Sequence, residues 1–180
     1  MQTILDRDLR QIYKTKLTFS ELYHFISEIA KFEGKPYDYQ YFKKITGLSP
    51  ITQKNLLYAF ESIFLVRRIP IEGTSPTFTI LLEDQGESYL LSEGNVSLSE
   101  QMTSLLYRNL RSEMFYKSGS MIKVFRFRNR SGNVMPIAFE SKGSVVGFMY
   151  SLQENIDRKT KANADVFLRN YSNSKVIILS

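Results

Sequence analysis

A set of polar side chains on one predicted helix has the chemistry for contacting nucleic acid. Amide, hydroxyl and ammonium groups hydrogen-bond to base edges and to phosphates. The helix that opens at Ser49 and Pro50 is predicted to expose such groups at Thr52, Gln53, Lys54, Asn55 and Tyr58. The basic side chains that could flank them are those of Lys43, Lys44, Arg67 and Arg68. The pattern predicts a surface that contacts DNA, although helices of this kind also dock on proteins.

Three further arginines alternate with apolar residues in a predicted strand and the turn that follows it. Successive side chains of a strand point to opposite faces, so Arg126, Arg128 and Arg130 are predicted to share one side of a sheet and to contact a polyanion. The alternative is that they form a solvated sheet face, or that their charge protects an edge strand.

The first half of the chain has the elements that would position the polar helix. Thr18 and Glu21 have the spacing of a capping box at a helix start. Two apolar runs, 64–70 and 78–82, are predicted to form a ribbon of two strands. Helix, helix, turn, helix and ribbon together predict a winged helix-turn-helix domain over residues 1–82.

The second half, residues 83–180, predicts an α/β domain because helices and strands alternate in it. We expect a turn at 84–86 and a cap by Ser99 and Glu100 at the start of the next helix. The predicted elements are a helix at 99–111, strands at 122–128, 135–139 and 144–150, a helix at 161–171 and a strand at 175–179. The fold class is therefore predicted as α+β or α/β, with a mixed sheet flanked by helices.

Composition excludes several kinds of chemistry. The 180 residues include no cysteine, which excludes disulfides and thiolate zinc sites. The chain has a single histidine, so a histidine-based metal centre or catalytic triad is not expected. We expect no metal and no cofactor. There is no long apolar run and no basic-then-apolar start, so we expect no membrane partner and a cytoplasmic location.

Basic charge is concentrated in two parts of the chain. The total is 24 basic against 18 acidic residues, or +6. Residues 1–72 carry 11 basic and 8 acidic side chains, 73–105 carry 5 acidic and no basic ones, and 106–180 carry 13 basic and 5 acidic ones. Segregation of this kind is typical of proteins with a polyanionic partner.

The order of these segments resembles one prokaryotic family. The stretches that carry the resemblance are 49–70, 84–86, the pair Glu100 and Gln101, and 153–180. Together they are similar to the C-terminal part of AAA-type ATPases with the domain of unknown function 4143. The resemblance implies a winged helix followed by a degenerate nuclease-like domain of the PD-(D/E)XK, or restriction-endonuclease-like, kind. It also implies an ATPase module as a partner, in cis or in trans.

The chain departs from that family in two respects. It has no G-x-x-x-x-G-K-[S/T] sequence, so it lacks the usual loop that holds a nucleotide phosphate. Aligned with the family's nuclease-like hairpin, Pro136 falls at the aspartate, Met149 at the glutamate and Ser151 at the lysine. Because two carboxylates would have to hold a divalent cation, these replacements predict that the domain is a pseudo-nuclease without catalysis.

A rival register and a rival function remain open. Glu140, Ser141 and Lys142 form an E-x-K sequence, but the preceding predicted strand has no acidic residue to complete a metal site. The main expectation is a non-catalytic protein that binds DNA through the winged helix. The alternatives are a module that docks on an ATPase partner and, less favoured, a metal-dependent nuclease.

Overall fold

The computed structural model describes residues 3–74, 77–118, 122–132, 134–151 and 156–179. Within these residues the chain is a mixed α+β protein with seven α-helices and one sheet of six strands. The elements are a π-helical turn (Ile4–Asp8), α1 (Leu9–Ile12), α2 (Phe19–Lys31), α3 (Tyr39–Thr46), α4 (Pro50–Ser62), β1 (Val66–Glu72), β2 (Thr77–Leu82), α5 (Gln85–Leu91), α6 (Leu98–Ser118), β3 (Lys123–Arg128), β4 (Val134–Ser141), β5 (Ser144–Tyr150), α7 (Arg158–Asn170) and β6 (Ser174–Leu179). None of the described helices combines the length and the apolar character that crossing a membrane requires.

The helix starts are fixed by side-chain caps close to the predicted positions. The predicted capping box is confirmed: Thr18 Oγ1 accepts from the Glu21 N–H (3.2 Å), and Glu21 Oε2 accepts from the Thr18 N–H (2.7 Å). The same carboxylate oxygen also accepts from the Thr18 hydroxyl (2.8 Å), and the hydrogen bonds from the N–H and the hydroxyl of Thr18 lower the pKa of the Glu21 carboxyl. The side chains of Asp38 and Ser49 cap α3 and α4 by accepting from backbone N–H groups of the first helical turn. Short-range sequence therefore determines where these helices begin.

Four strands of the sheet run in one direction. The strand order is β2, β1, β3, β4, β5, β6. β1 is parallel to β3, β5 is parallel to β6, and β4 is antiparallel to both of its neighbours. The last residues of β1, β3, β5 and β6 therefore lie at the same end of the sheet, which we call the carboxyl end.

A bulge in β4 explains how a proline is accommodated next to two neighbouring strands. The β3–β4 register shifts by one residue between Phe125 and Phe127, which leaves Pro136 and Ile137 of β4 opposite a single residue of β3. Proline has no N–H for the ladder, and in sheets it occurs at edges or bulges. Pro136 is thus explained by the local geometry of the strand.

An apolar core forms where α7 packs on one face of the sheet. Its buried members are Phe125, Phe127, Met135, Ala138, Val145, Met149, Ala164 and Phe167. Gly147 allows the close approach of helix and sheet, because a Cβ there would lie 2.8 Å from Met135 Sδ and 2.9 Å from Phe167 Cε1. The side chains of Met135 and Phe167 therefore fill the space next to Gly147 and exclude solvent from it.

The described chain divides into two compact units that alternate along the sequence. The first unit comprises residues 1–68 and 79–100, and the second comprises 69–78 and 101–180. The distal half of the β1–β2 ribbon thus belongs to the second unit, where Ile71 and Glu72 pair with β3. The sequence suggested two consecutive ranges, 1–82 and 83–180, instead.

Two local predictions in the second half are wrong. Residues 84–86 do not form a simple turn: Asp84 caps α5, and its Oδ1 accepts from the Glu87 N–H (2.9 Å). At the start of α6 the capping side chain is that of Ser97, whose Oγ accepts from the Glu100 N–H (3.2 Å), and Ser99 lies inside the helix. Glu100 lies in the first turn of α6, as predicted. In both cases a serine or aspartate satisfies a free amide of the first helical turn.

Candidate nucleic-acid interface

The α3–α4 connection is a short turn whose ends are both fixed. Gly47 ends α3 with a positive φ of 72°, a conformation that glycine adopts at little cost. Two residues later, Ser49 Oγ accepts from the Thr52 N–H (3.2 Å) and Pro50 occupies the first turn of α4. Gly47 and Ser49 thereby set where α3 ends and where α4 begins.

The solvent face of α4 carries two polar and two large apolar side chains. Lys54 and Asn55 are exposed, Ile51 is 75% exposed and Tyr58 is 65% exposed. Spacings of three and four residues place these side chains on one face of the helix. The predicted exposure of Lys54, Asn55 and Tyr58 is confirmed, whereas Ile51 was not among the predicted contacts.

Gln53, which was predicted to be exposed, is fully buried. Its Oε1 accepts from the Tyr37 hydroxyl (2.9 Å), and its Nε2 donates to the carbonyl oxygens of Leu48 (2.8 Å) and Tyr39 (3.1 Å). These bonds join α4 to the turn and to the start of α3. Burial raises the pKa of the Tyr37 hydroxyl, which stays a neutral donor. The exposure prediction for Gln53 is therefore wrong, because the side chain serves the fold.

Three other predicted contacts belong to the end of α3 and the start of α4. Lys43 and Lys44 are exposed in the last turn of α3, and Thr52 is half-buried with its hydroxyl 2.9 Å from Ser49 Oγ. Among the described residues, neither lysine has an ion-pair partner, and the same is true of Lys54. These ammonium groups are therefore available to an anion.

The two arginines of the ribbon are already paired. Arg67 Nε donates to Glu83 Oε1 (3.2 Å). Arg68 Nε donates to Glu61 Oε2 (2.7 Å), and the Arg68 N–H donates to the other oxygen of the same carboxylate (2.9 Å). Both arginines are predominantly buried, with 34% and 29% of their side chains exposed. Their charges are neutralised within the first unit.

The three arginines of the second unit do not share one environment. Arg126 is 7% exposed, whereas Arg128 and Arg130 are exposed. The prediction that the three lie together on an accessible side is wrong, because β3 is buried on both faces at 125–127 and accessible only near its ends. In a strand covered on both sides, alternation does not separate buried from exposed residues.

The three positions aligned with a nuclease site have different surroundings. Continuing the register from Ile137 and Phe148 by one residue places Pro136 opposite Met149. Pro136 is half-buried at the bulge, and Met149 is 4% exposed within the core beneath α7. The Ser151 N–H donates to the Leu179 carbonyl (2.8 Å). Pro136 and Met149 offer no side-chain oxygen to a cation.

Sequence reasoning missed a polar cluster around Lys123. Its ammonium lies 2.6 Å from Glu72 Oε1 and 3.1 Å from Glu140 Oε2, and the Tyr171 hydroxyl donates to Glu72 Oε2 (2.7 Å). The hydrogen bond to Glu72 is the largest cause of the raised pKa of Lys123. Burial is the main cause of the raised pKa of Tyr171. Since Glu72 is 51 positions from Lys123 in the sequence, no local pattern indicates this cluster.

Glu140, the acid of the rival E-x-K register, is thus part of an ion pair. It faces Lys123 directly across the β3–β4 ladder. Among the described residues, no group of three or more acidic or histidine side chains is arranged to hold a metal ion. Glu140 therefore forms an ion pair with Lys123, and the described residues around it do not form a set of ligands that could hold a metal ion.

A buried carboxylate in the first unit was also missed. Glu33, which follows α2 and is 4% exposed, accepts from the Leu82 N–H (2.9 Å) and from the Ser88 hydroxyl. It therefore ties the end of α2 to β2 and α5. Its partners lie about 50 residues away, as the residue numbers show, and such distant pairing has no signal in a single sequence.

Comparison of the chain with protein-family models, curated proteins and solved structures finds no match. The resemblance to the ATPase family therefore stays a prediction.

Proposed function

We propose that the chain is a non-catalytic DNA-binding protein in which the first unit acts as a winged helix. The observation that carries the proposal is the solvent face of α4, where Lys54 and Asn55 are exposed. Lys43 and Lys44, in the last turn of α3, are also exposed and have no ion-pair partner among the described residues. Support for the winged-helix arrangement comes from the α3–α4 turn and from the part of the ribbon that belongs to the first unit, to which Pro36 adds an isolated bridge at Thr79.

The proposed division of labour follows from the chemistry of each side chain. Lys43 and Lys44 would contact phosphates as point charges, which gives affinity without sequence preference. Asn55 can bond both the acceptor and the donor of an adenine edge, and Lys54 can bond the acceptors of guanine. Arg67 and Arg68 are left out of the contact set because glutamates hold them.

The second unit is proposed to be a nuclease-like domain that has lost its metal site and does not cleave DNA. The apolar surroundings of Met149 and the bulge at Pro136 support this. An ATPase module, in cis or in trans, would be the partner that moves or positions the DNA-binding part. That partner follows from the family resemblance alone.

The decisive experiment compares two lysine variants in duplex binding. Lys54→Ala should lower the affinity about tenfold and reduce the slope of log affinity against log salt by about 1. Lys16→Ala is the matched control, because Lys16 is also exposed and unpaired in the first unit but lies outside the helix–turn–helix. Equal effects of the two variants would refute a specific role for α4.

Docking on a protein is the second candidate, and the exposure of Ile51 and Tyr58 favours it. Large apolar side chains on a solvent face are typical of protein interfaces. Under this alternative, Ile51→Ser would abolish co-purification with the ATPase partner and leave duplex affinity unchanged. Under the DNA-binding proposal, a duplex would bind the isolated chain with a steep salt dependence.

A further inference from the structure

Eight described cations of the second unit are exposed and have no described ion-pair partner. Five of them are Arg128, the last residue of β3, Arg130, in the turn that follows, and Arg158, Lys159 and Lys161, in the first turn of α7; the other three are Lys142, Arg169 and Lys175. The sequence predicted a polyanion contact for the two arginines and assigned no role to the α7 cations. In the structure, both groups lie at the carboxyl end of the sheet.

Strand direction and one hydrogen bond bring the two groups together. Arg128 pairs with Val134 in the β3–β4 ladder, and the Val134 N–H donates to Asn163 Oδ1 of α7 (3.3 Å). Lys159 and Lys161 precede Asn163 by one turn of helix or less, about 6 Å at most along the axis. The first turn of α7 therefore lies at the carboxyl end of the sheet, beside the turn that carries Arg130.

The opposite end of the same unit differs in its balance of charge. The cations there are Lys123, Lys142, Arg169 and Lys175, and Lys123 is bound between Glu72 and Glu140. At the carboxyl end, five cations accompany Asp157, whose Oδ1 accepts from the Thr160 N–H (2.6 Å) as the cap of α7. The pKa of Asp157 is lowered mainly by its hydrogen bonds to Thr160 and to a smaller extent by the charge of Lys159. Among the described residues, the carboxyl end thus holds five exposed cations outside ion pairs, and the opposite end holds three.

We propose that the carboxyl end of the sheet is a second DNA-contacting surface, in which Arg128, Arg130, Arg158, Lys159 and Lys161 bind the phosphate backbone. The choice of DNA as the partner rests on the proposed function, but the surface itself does not involve α4. Several cations spread over a strand end, a turn and a helix fit a chain of repeated phosphates. They contact backbone rather than bases, so the surface adds affinity without sequence preference.

A pair of matched triple variants tests the proposal. The test variant is Arg128→Gln, Lys159→Gln and Lys161→Gln. The control variant is Arg169→Gln, Lys142→Gln and Lys175→Gln. Like the test variant, it removes one arginine and two lysines from exposed positions, but at the opposite end of the sheet. We expect the test variant to lose about 10–100-fold in affinity for a duplex of mixed sequence at low salt and about 2–3 units of salt slope. The control should change both quantities much less.

The outcomes separate this proposal from the role of α4. Wild-type affinity and slope in the test variant, together with a weakened Lys54→Ala, would overturn the second surface and leave α4 as the contact. Equal losses in the test and control variants would also overturn it, since only net charge would then matter. A weakened test variant with an unaffected Lys54→Ala would support the second surface and refute the α4 proposal. Equal melting temperatures of the two triple variants show that both fold.

Discussion

The cations of the ribbon and those at the carboxyl end of the sheet look alike in sequence but differ in what faces them. Arg67 and Arg68 each have a glutamate within hydrogen-bond distance. Arg128 and Lys161 are exposed and have no described ion-pair partner. A cation that already has a carboxylate must lose it to bind a phosphate, so the free cations are the better candidates for a DNA contact.

The same division separates neighbours on one helix. Gln53 is buried with three hydrogen bonds, whereas Asn55, two residues later, is exposed. The two amides have nearly the same chemistry, and only their position on α4 decides between holding the fold and meeting a partner. Each prediction below therefore pairs a residue that holds the fold with one that is exposed.

The largest expected effect is on stability, at Met149. Met149→Ala should lower the free energy of unfolding by about 2–5 kcal/mol, because it leaves a cavity in the core beneath α7. Leu168→Ala, at an exposed position of α7, should change it by less than about 0.5 kcal/mol. Chemical denaturation measures both. A loss of duplex affinity in folded Met149→Ala protein would contradict the view that this position has only a structural role.

Gln53→Ala should lower mainly the stability, whereas Asn55→Ala should lower mainly the affinity for duplex DNA. Gln53→Ala leaves the Tyr37 hydroxyl and two carbonyl groups without their partner, and it should cost about 1–3 kcal/mol of stability. Asn55→Ala should leave stability within about 0.5 kcal/mol and lower duplex affinity. Denaturation and binding are measured on both variants. If Gln53→Ala weakened binding without destabilising the protein, the structural role of Gln53 would be wrong.

The elements that were predictable from sequence are those fixed by neighbouring residues. The capping box at Thr18 and the turn at Gly47 depend on contacts within a few positions, and the strands around the β4–β5 hairpin follow from local alternation. Helix α5 was missed because glycine lies in its first turn. It is held by distant contacts, including the bond from Ser88 to Glu33.

The candidate site was less predictable than the fold, because exposure and pairing depend on distant residues. Nothing near Gln53 in the sequence indicates that Tyr37 will bond to it, and nothing near Arg67 indicates Glu83. Arg126 is buried because β3 is covered on both faces. By contrast, the exposure of Lys54 was predicted correctly, since a lysine on the outer face of an amphipathic helix needs no distant partner to stay exposed.

Arg67→Gln should have a small effect on both measured quantities. It breaks a partly exposed ion pair, which contributes about 0–1 kcal/mol to stability. It should leave the salt slope of duplex binding unchanged, because Glu83 already neutralises this charge. Lys54→Gln is the matched change at a free cation and should reduce the slope by about 1. A larger drop in slope for Arg67→Gln than for Lys54→Gln would reverse the comparison between paired and free cations.

The smallest effect is expected at alkaline pH, where the cluster around Lys123 loses its protons. Its interaction with Glu72 raises the pKa of Lys123, and burial raises the pKa of Tyr171. The folded state therefore keeps both protons to a higher pH than the unfolded state does. Their contribution to stability is fully present below pH ~10, the region of the ordinary pKa values, and it is lost as the pH rises through the folded pKa values.

Tyr171→Phe removes one of these two groups and should make the fall in stability above pH ~10 shallower. The fall is measured as the change in unfolding free energy between a neutral and an alkaline buffer. Tyr89→Phe is the matched control, because Tyr89 is 55% exposed and this variant should follow the wild-type curve. If Tyr171→Phe also followed that curve, the hydroxyl of Tyr171 would not be coupled to folding. The pairing of Glu72 with Lys123 would then be the part of the cluster that holds β1 to β3.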